Sequence, residues 1–394
     1  MPDNASRVVL EKEPLSGTRV GSCVYARLAL VLAAVTVVAF VGAIWIYRTN
    51  GPAVDFTSFW AAGRLALRGH GALAYDYATH RSVEATVVTV FRPLPFSYPP
   101  PFLLIVTPFA RAPYWAAYPI WMITTGAIYL VAIRRILPAR YALAFPGALD
   151  NVIFGQNAFL TCSGFQVGAS LLESRPLLAG AILGLFICKP QLALLFPVAV
   201  LAGRHWRAIV GAAASSIAAL ALATLLFGIQ SYAGFFSMTA RFAVMMRTQS
   251  EWPWEQVASA FGFACYLGAR ESVALSLQLV CAFLAVALTW RAWAHKVDQR
   301  VPVLAASTLL VSPYLFTYDS LLLLIPAGWF LRERRPGRAA LIWLASLLTV
   351  LSLFRLCPVP NLTPVAALMS LWWLHSGDRR AWRLGPLEPR MANA

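Results

Sequence analysis

Residues 28–47 contain no charged side chain, and this apolar run is long enough to cross a lipid bilayer as a helix. The run is longer than a signal-peptide core and does not end in a small-x-small cleavage pattern. Similar runs recur along nearly the whole chain, of which only 12% is charged, against about 25% in soluble domains. The sequence therefore predicts an all-α protein that crosses the membrane many times.

Basic residues lie in short clusters at the ends of the apolar runs, a distribution that keeps loops on the cytoplasmic side. The clusters are residues 134–140, 203–207, 332–338 and 377–383. The net charge is +16, but no single basic patch forms, so we do not expect a nucleic-acid partner. This topology predicts that both termini are cytoplasmic and that external loops span 48–112 and 228–272.

The pattern predicts about twelve transmembrane helices within a membrane domain of residues 24–376, flanked by cytoplasmic tails at 1–23 and 377–394. Residues 98–110 are apolar but short and rich in proline, so we interpret them as a re-entrant or interfacial segment. The helices are predicted at 26–47, 114–133, 141–154, 157–172, 176–187, 191–202, 207–227, 273–292, 301–315, 319–331, 339–355 and 362–375.

Several common kinds of site are missing from the sequence. The six cysteines show no Cys-x-x-Cys spacing, and His70, Asp76 and His80 match no pattern of metal ligands. No glycine-rich phosphate loop, Asp-x-Asp pair or large extramembrane segment is present for a nucleotide. We therefore predict neither metal nor cofactor, and if the protein is an enzyme, a donor carried by a lipid fits best.

The predicted topology places a group of polar and aromatic residues on the outer face, beside short and broken helices. They are Asp55, Tyr98, Gln156, Asn157, Lys189, Trp252, Trp254 and Asp319. Polar side chains gathered at one membrane boundary indicate a cavity that opens outward.

Each of these residues has two interpretations. Asp55 either caps an interfacial helix at 56–67 or acts as a general base, because a carboxylate at a half-dry boundary can have a raised pKa. Lys189 either extends to lipid headgroups or holds a phosphate. Gln156 and Asn157 either satisfy a tight turn or bind sugar hydroxyls, and the two tryptophans either anchor the membrane interface or stack on sugars.

The chain resembles glycosyltransferase family 87, the polyprenol-phosphate-dependent membrane mannosyltransferases of the GT-C fold. The resemblance covers residues 54–202, with a weaker match at 312–326. Five segments carry it in the family's order: DFTSFWAAGRLALRGHGALAYD, YPPPFLLIVTPFA, GQNAFLTC, RPLLAGAILGLFICKPQLALLFPVAVLAGRHWR and SPYLFTYDSLLLLIP.

The resemblance implies an inverting transferase of the bacterial inner membrane, with a GT-C-type helix bundle and its active site facing the periplasm. The donor would be a polyprenyl-phosphate sugar, usually mannose, and the acceptor a lipid or envelope glycan, without nucleotide or metal. Asp55 would be the general base. Lys189 would face the donor phosphate, and Arg64 and Arg68, four residues apart on one helix face, would contact either lipid phosphates or ordinary anionic headgroups.

The remaining expectations concern the sugar and the acceptor, which we expect to be contacted by Tyr98, Gln156, Asn157, Gln191, Tyr318 and Asp319. Where mycobacterial members carry histidines after the aspartate, this chain has Ser320 and Leu321. The acceptor and the proton network of those members are therefore not carried over. Two other classes stay open from the sequence alone: a lipid or sugar transporter, and an assembly partner in an envelope-polysaccharide complex.

The topology makes a direct prediction. Single cysteines introduced within 50–95 should react with a membrane-impermeant thiol reagent in intact cells, whereas cysteines at 332–338 should react only after permeabilisation. Gel-shift detection of the label measures both, with each site labelled in broken cells as its own control. Protection of 50–95 together with labelling of 332–338 would invert the topology.

Overall fold

The computed structural model describes residues 55–87, 95–248 and 252–376, together with scattered residues between 27 and 48. Within this part of the chain the structure is helical, apart from one isolated bridge that pairs Val257 with Phe316. The predicted tails at 1–23 and 377–394 lie outside the described residues. The described residues of the first apolar run are helical, as predicted.

The α-helices are numbered here from the start of the continuously described chain. They are α1 Asp55–Leu67, α2 Tyr77–Glu84, α3 Pro101–Val106, α4 Tyr114–Ile133, α5 Ala139–Ala144, α6 Pro146–Phe154, α7 Ala158–Leu171, α8 Pro176–Gly184, α9 Phe196–Ala202, α10 Trp206–Phe227, α11 Gln230–Thr248, α12 Ala260–Tyr266, α13 Glu271–Ala294, α14 Arg300–Val311, α15 Leu324–Arg332, α16 Pro336–Leu353 and α17 Thr363–Ser376. Short 3₁₀ turns at Gly71–Tyr75, Phe109–Arg111, Leu185–Cys188, Pro190–Leu192, Trp254–Gln256 and Thr317–Leu323 link them.

Four of the described helices are long and apolar enough to cross a membrane: α4, α10, α13 and α16. Large apolar side chains point outward from them, such as Leu225, which is 81% exposed, and Phe283, which is 77% exposed. Exposed apolar surface on this scale is stable only against lipid. The protein is therefore a membrane protein. The four candidate spans do not confirm the predicted count of twelve transmembrane helices or the predicted re-entrant segment.

Proline breaks several segments that the sequence predicts as single helices. The predicted helix 141–154 is interrupted at Phe145, because the ring of Pro146 removes a backbone donor and begins a new helix, α6. In the same way Lys189 has an extended backbone before Pro190, and α9 begins only at Phe196. At each break the regular hydrogen bonding of the helix is interrupted, which leaves backbone polar groups to be satisfied by other contacts.

Both predicted external loops contain helices in the residues that the structure describes. In the first, α1 forms where an interfacial helix is expected, but Phe56, Phe59 and Trp60 are buried against protein. In the second, the 19-residue helix α11 and the short α12 occupy much of a stretch for which we predicted no helix. Helix α11 contacts the 3₁₀ turn Gly71–Tyr75, so the two loops pack on each other.

Glycines allow the closest helix contact, between α8 and α10. A Cβ atom on Gly180 would lie 1.9 Å from the Ala208 carbonyl oxygen, and one on Gly211 would lie 2.0 Å from that of Leu177. Such distances are far below van der Waals contact, so only hydrogen fits at both positions. Small residues that let backbones approach are the usual source of helix association in lipid.

The Gly180→Ala variant should therefore be destabilised by about 1–3 kcal/mol, because the two backbones must separate. The measurement is the thermal unfolding midpoint of detergent-purified protein. Gly126→Ala on α4 is the matched control, since its Cβ would meet only the Phe159 ring at 3.8 Å. Equal midpoints for the two variants would contradict the close contact of α8 and α10.

Candidate active site

Asp55 lies in the first turn of α1, half-buried, and is joined to the rest of the site by a chain of hydrogen bonds. Gln156 donates from Nε2 to Asp55 Oδ2 at 2.6 Å, and the Tyr98 hydroxyl donates to Gln156 Oε1 at 3.0 Å. The carbonyl of Tyr98 in turn accepts from the hydroxyl of Tyr75 at 2.8 Å. The chain fixes the orientation of the Asp55 carboxylate from outside its own helix.

The turn that carries Gln156 is held tightly against α1. Gly155 ends α6 with φ +67°, the left-handed conformation that favours glycine, and a Cβ there would lie 2.6 Å from the Phe56 side chain. The indole of Trp121 donates to the Gly155 carbonyl at 3.1 Å. In the motif Gly-Gln-Asn, glycine is therefore required at position 155 by the left-handed turn. This turn places the side-chain amide of Gln156 against Asp55.

Lys189 and Asp319 form a buried ion pair beside this chain, 2% and 1% exposed at their side chains. The Lys189 ammonium also donates to Asn157 Oδ1 at 3.1 Å and lies 4.7 Å from the ring centroid of Tyr318. The second oxygen of Asp319 accepts from the backbone N–H of Phe316 at 3.2 Å. Each charge is therefore neutralised and hydrogen-bonded, as burial requires.

The environment of Asp55 raises the pKa of its carboxyl to about 6. Desolvation by burial is the main cause, and the charge of Glu84 adds to it. The hydrogen bond from Gln156 and the positive charge of Lys189 act in the opposite direction. A carboxylate with this pKa is ionised at neutral pH and is basic enough to accept a proton from a reacting hydroxyl.

The structure brings most of the predicted site residues together: Asp55, Tyr98, Gln156, Asn157, Lys189, Tyr318 and Asp319. Gln191 lies in the adjacent 3₁₀ turn, half-buried. Trp252 and Trp254 instead pack on Phe242 and Phe261 in the second loop.

Arg64 and Arg68 do not join this cluster. Arg64 follows Asp55 by nine residues, and at about 100° per residue its side chain leaves the opposite face of α1. Its guanidinium donates to the Ala110 carbonyl oxygen at 3.4 Å and lies over the Trp60 ring. Arg68 follows the end of the helix and is exposed.

Two of the three residues considered as metal ligands, Asp76 and His80, make structural contacts within the protein. Asp76 caps α2 by accepting from the backbone N–H of Thr79 at 2.8 Å. His80 is buried on the same helix, 3.1 Å from the Ser58 hydroxyl and 3.5 Å from the Glu84 carboxylate. These contacts fasten α2 to α1.

Asp150, which our sequence reasoning did not select, is buried completely on α6, and neither of its carboxylate oxygens has a hydrogen-bond partner among the described residues. It is near enough to Asp55 and Asp319 to act on them electrostatically. The signal was available, since an acidic residue inside the apolar stretch GALDNVIF is expensive in a membrane protein and marks a functional site. We had assigned the segment only to a helix.

The helical membrane fold and the cluster of Asp55, Gln156, Lys189 and Asp319 describe a membrane protein with a largely buried polar site. The model of glycosyltransferase family 87 matches residues 96–313, more than half of the chain. The protein belongs to this family and is a membrane glycosyltransferase. No curated protein and no solved structure matches the chain. Tyr98, Gln156, Asn157 and Lys189 lie inside the matched range, whereas Asp55 and Asp319 lie outside it.

Burial of the Lys189–Asp319 pair leads to a stability prediction. Lys189→Met leaves a buried carboxylate without its partner and should reduce the free energy of unfolding by about 3–5 kcal/mol. Adding Asp319→Asn, which keeps an acceptor for the Phe316 N–H, should recover most of this loss. Unfolding of the purified protein in mixed detergent micelles measures both variants.

The control is the ion pair between Glu173 and Arg300, whose atoms are 3.5 Å apart and whose side chains are 35% and 22% exposed. Glu173→Gln should change the free energy of unfolding by about 1 kcal/mol or less. If Lys189→Met costs no more than this control, the ammonium is not buried as the structure has it.

Proposed function

We propose that this glycosyltransferase moves a sugar from a polyprenyl-phosphate donor to a hydroxyl of a lipid or envelope glycan, with Asp55 as the general base. The observation that carries the proposal is the state of Asp55: half-buried, oriented by Gln156 and with a pKa of about 6. Mannose is the sugar that the family resemblance favours. The reaction takes place on the periplasmic side of the inner membrane.

Asp55 suits the role of base better than Asp319 does. Both oxygens of Asp319 are occupied, one by Lys189 and one by the Phe316 N–H, and the side chain is only 1% exposed. Among the described residues Asp55 has a partner at Oδ2 alone and remains partly accessible. A base needs a free oxygen for the proton that it accepts, so the unoccupied Oδ1 of Asp55 decides between the two.

The proposed step is a single displacement. The acceptor oxygen attacks the anomeric carbon, its proton passes to Asp55, and the bond from that carbon to the phosphate oxygen breaks. The electron pair leaves with the polyprenyl phosphate. One base and no enzyme nucleophile give inversion at the anomeric carbon, as in glycosidases that act by a single displacement.

Lys189 is proposed to stabilise the leaving phosphate. An ammonium has three N–H donors, and the described partners Asn157 and Asp319 take two of them. The third donor can meet a phosphate oxygen as negative charge develops there, which is the usual large electrostatic contribution to catalysis. Lys189 is also the cation whose charge acts on Asp55, so donor phosphate and base share one neighbour.

Contacts to the sugar and the acceptor are proposed for Tyr98, Gln156, Asn157, Gln191, Tyr318 and Asp319. Buried Nδ2 of Asn157 has no hydrogen-bond partner among the described residues and is a donor that a sugar hydroxyl would satisfy. Family membership favours this enzyme over a transporter or an assembly partner, which would have no use for a base beside a phosphate-binding lysine.

Asp55→Asn should reduce turnover by about 100- to 10,000-fold, because an amide cannot accept the proton while general-base catalysis supplies that range. The measurement is transfer of radiolabelled sugar from a synthetic polyprenyl-phosphate mannose to membrane lipid by purified protein. Glu173→Gln, remote from the site, should keep its activity. Unchanged turnover in well-folded Asp55→Asn protein would contradict the general-base role and leave Asp55 as a residue that only caps the helix.

The pH dependence follows from the same residue. The ionised carboxylate is the active form, so kcat/KM should be half its maximum near pH 6, level off well above pH 6 and fall about tenfold per unit well below it. Gln156→Leu removes a hydrogen bond that lowers the pKa of Asp55, so its midpoint should lie at higher pH. Gln166→Leu is the matched control, since among the described residues the side chain of Gln166 hydrogen-bonds to Ser170, four residues away on the same helix. A midpoint unmoved by Gln156→Leu would contradict Asp55 as the titrating base.

A further inference from the structure

A cavity of about 540 Å³ is lined by residues outside the Asp55 cluster. Three arginines line it, Arg48, Arg64 and Arg111, together with the aromatic side chains of Trp60, Tyr114 and Trp115. The described residues that line the cavity include no carboxylate. Three guanidinium groups without a counterion repel one another, and an anion between them would remove this cost.

Of the three arginines, Arg64 is held in place by contacts within the protein. Arg64 donates to the Ala110 carbonyl and lies 5.5 Å from the ring centroid of Trp60. Trp60 is itself fixed by a hydrogen bond of 3.0 Å from its indole N–H to the Ala112 carbonyl. Arg111 and Arg48 are exposed, so their heads are available to a ligand that enters the cavity.

The cavity lies at a membrane boundary. Tyr114 and Trp115 form the first turn of α4, a helix long enough to span, and Trp115 is 54% exposed. Further along the same helix Ile123 and Val131 are 62% and 60% exposed. Tryptophan beside arginine at the end of such a helix is the arrangement found at headgroup level. A lipid could place its chains along α4 and its headgroup in the cavity.

The transferred sugar is bonded directly to the donor phosphate, so that phosphate must lie within one sugar ring of the hydroxyl that Asp55 deprotonates. Arg64 leaves the opposite face of α1, and the body of the helix separates the two sites. The donor phosphate at Lys189 therefore cannot also occupy the arginine cavity. This step rests on the proposed role of Asp55.

We propose that the arginine cavity binds the phosphodiester headgroup of an anionic lipid other than the sugar donor. The ligand class is a phosphate diester carried on acyl chains, either a membrane phospholipid or an acceptor with the same headgroup chemistry. Guanidinium groups match phosphate oxygens in geometry and charge, and the aromatic walls accept the glycerol and first methylenes.

The test measures lipid binding rather than sugar transfer. Full-length protein in phosphatidylcholine nanodiscs receives increasing fractions of phosphatidylglycerol, and native mass spectrometry counts the lipids retained after release. We expect retention of phosphatidylglycerol over phosphatidylcholine. The double variant Arg64→Gln/Arg111→Gln should weaken it by about tenfold or more, since charge-assisted contacts are lost. Arg270→Gln, an exposed arginine of the other external loop, is the control and should bind as the wild type does.

Three outcomes would overturn the proposal: equal loss in Arg270→Gln, loss of undecaprenyl phosphate instead of phosphatidylglycerol in the double variant, or full displacement of the lipid by millimolar inorganic phosphate. The first indicates unspecific attraction, the second a donor site and the third a site for free phosphate.

To separate the acceptor from bulk lipid, kcat and KM are measured with the double variant. A higher KM for acceptor alone assigns the cavity to the acceptor, and unchanged kinetics with lost retention assign it to membrane phospholipid. Asp55→Asn should keep its lipid retention, so failure of the base and failure of this cavity are distinguished.

Discussion

The buried pair of Lys189 and Asp319 is the interaction on which the rest of the site depends. A charge can be buried in this fold only with a partner, so two segments 130 residues apart must meet at one point. Both segments are broken at that point: Lys189 precedes Pro190, and Asp319 lies in a 3₁₀ turn before α15. Irregular backbone within a membrane protein is tolerated where protein buries it, and both Lys189 and Asp319 are buried. Asn157 accepts a second hydrogen bond from Lys189, and the Phe316 N–H donates to the second oxygen of Asp319.

The sequence predicted well whatever depends on local hydrophobicity. Residues 114–133 form α4 as predicted, and α10 and α13 begin and end within two residues of the predicted bounds. It also predicted that most of the outer-face polar residues would share a site. It did not reveal which of them touch, because the pairing of Lys189 with Asp319 and of Gln156 with Asp55 is decided by tertiary contacts. Periodicity carries no information about partners so distant in the chain.

The misses have separate physical causes. Helix α11 is only weakly apolar and carries charges, so a search of the sequence for membrane-spanning helices does not find it. Its packing against the first external loop stabilises it instead. The break at Phe145 was marked by Pro146, but the apolar run on both sides of it outweighed this signal. The contact of Arg64 with a lipid phosphate stays a prediction, but nine residues of helix direct its side chain away from the Asp55 side of α1.

The helix α1 therefore separates two electrostatic environments. On one face Asp55 and Asp319 lie near one described cation, Lys189, and both carboxylates act electrostatically on the buried carboxyl of Asp150. On the opposite face three arginines line a cavity without a described carboxylate. A polyanionic ligand would be repelled from the first environment and attracted to the second, while a neutral sugar with one phosphate fits the first. Because the two faces belong to one helix, the proposed lipid site and the proposed base lie at a fixed distance from each other.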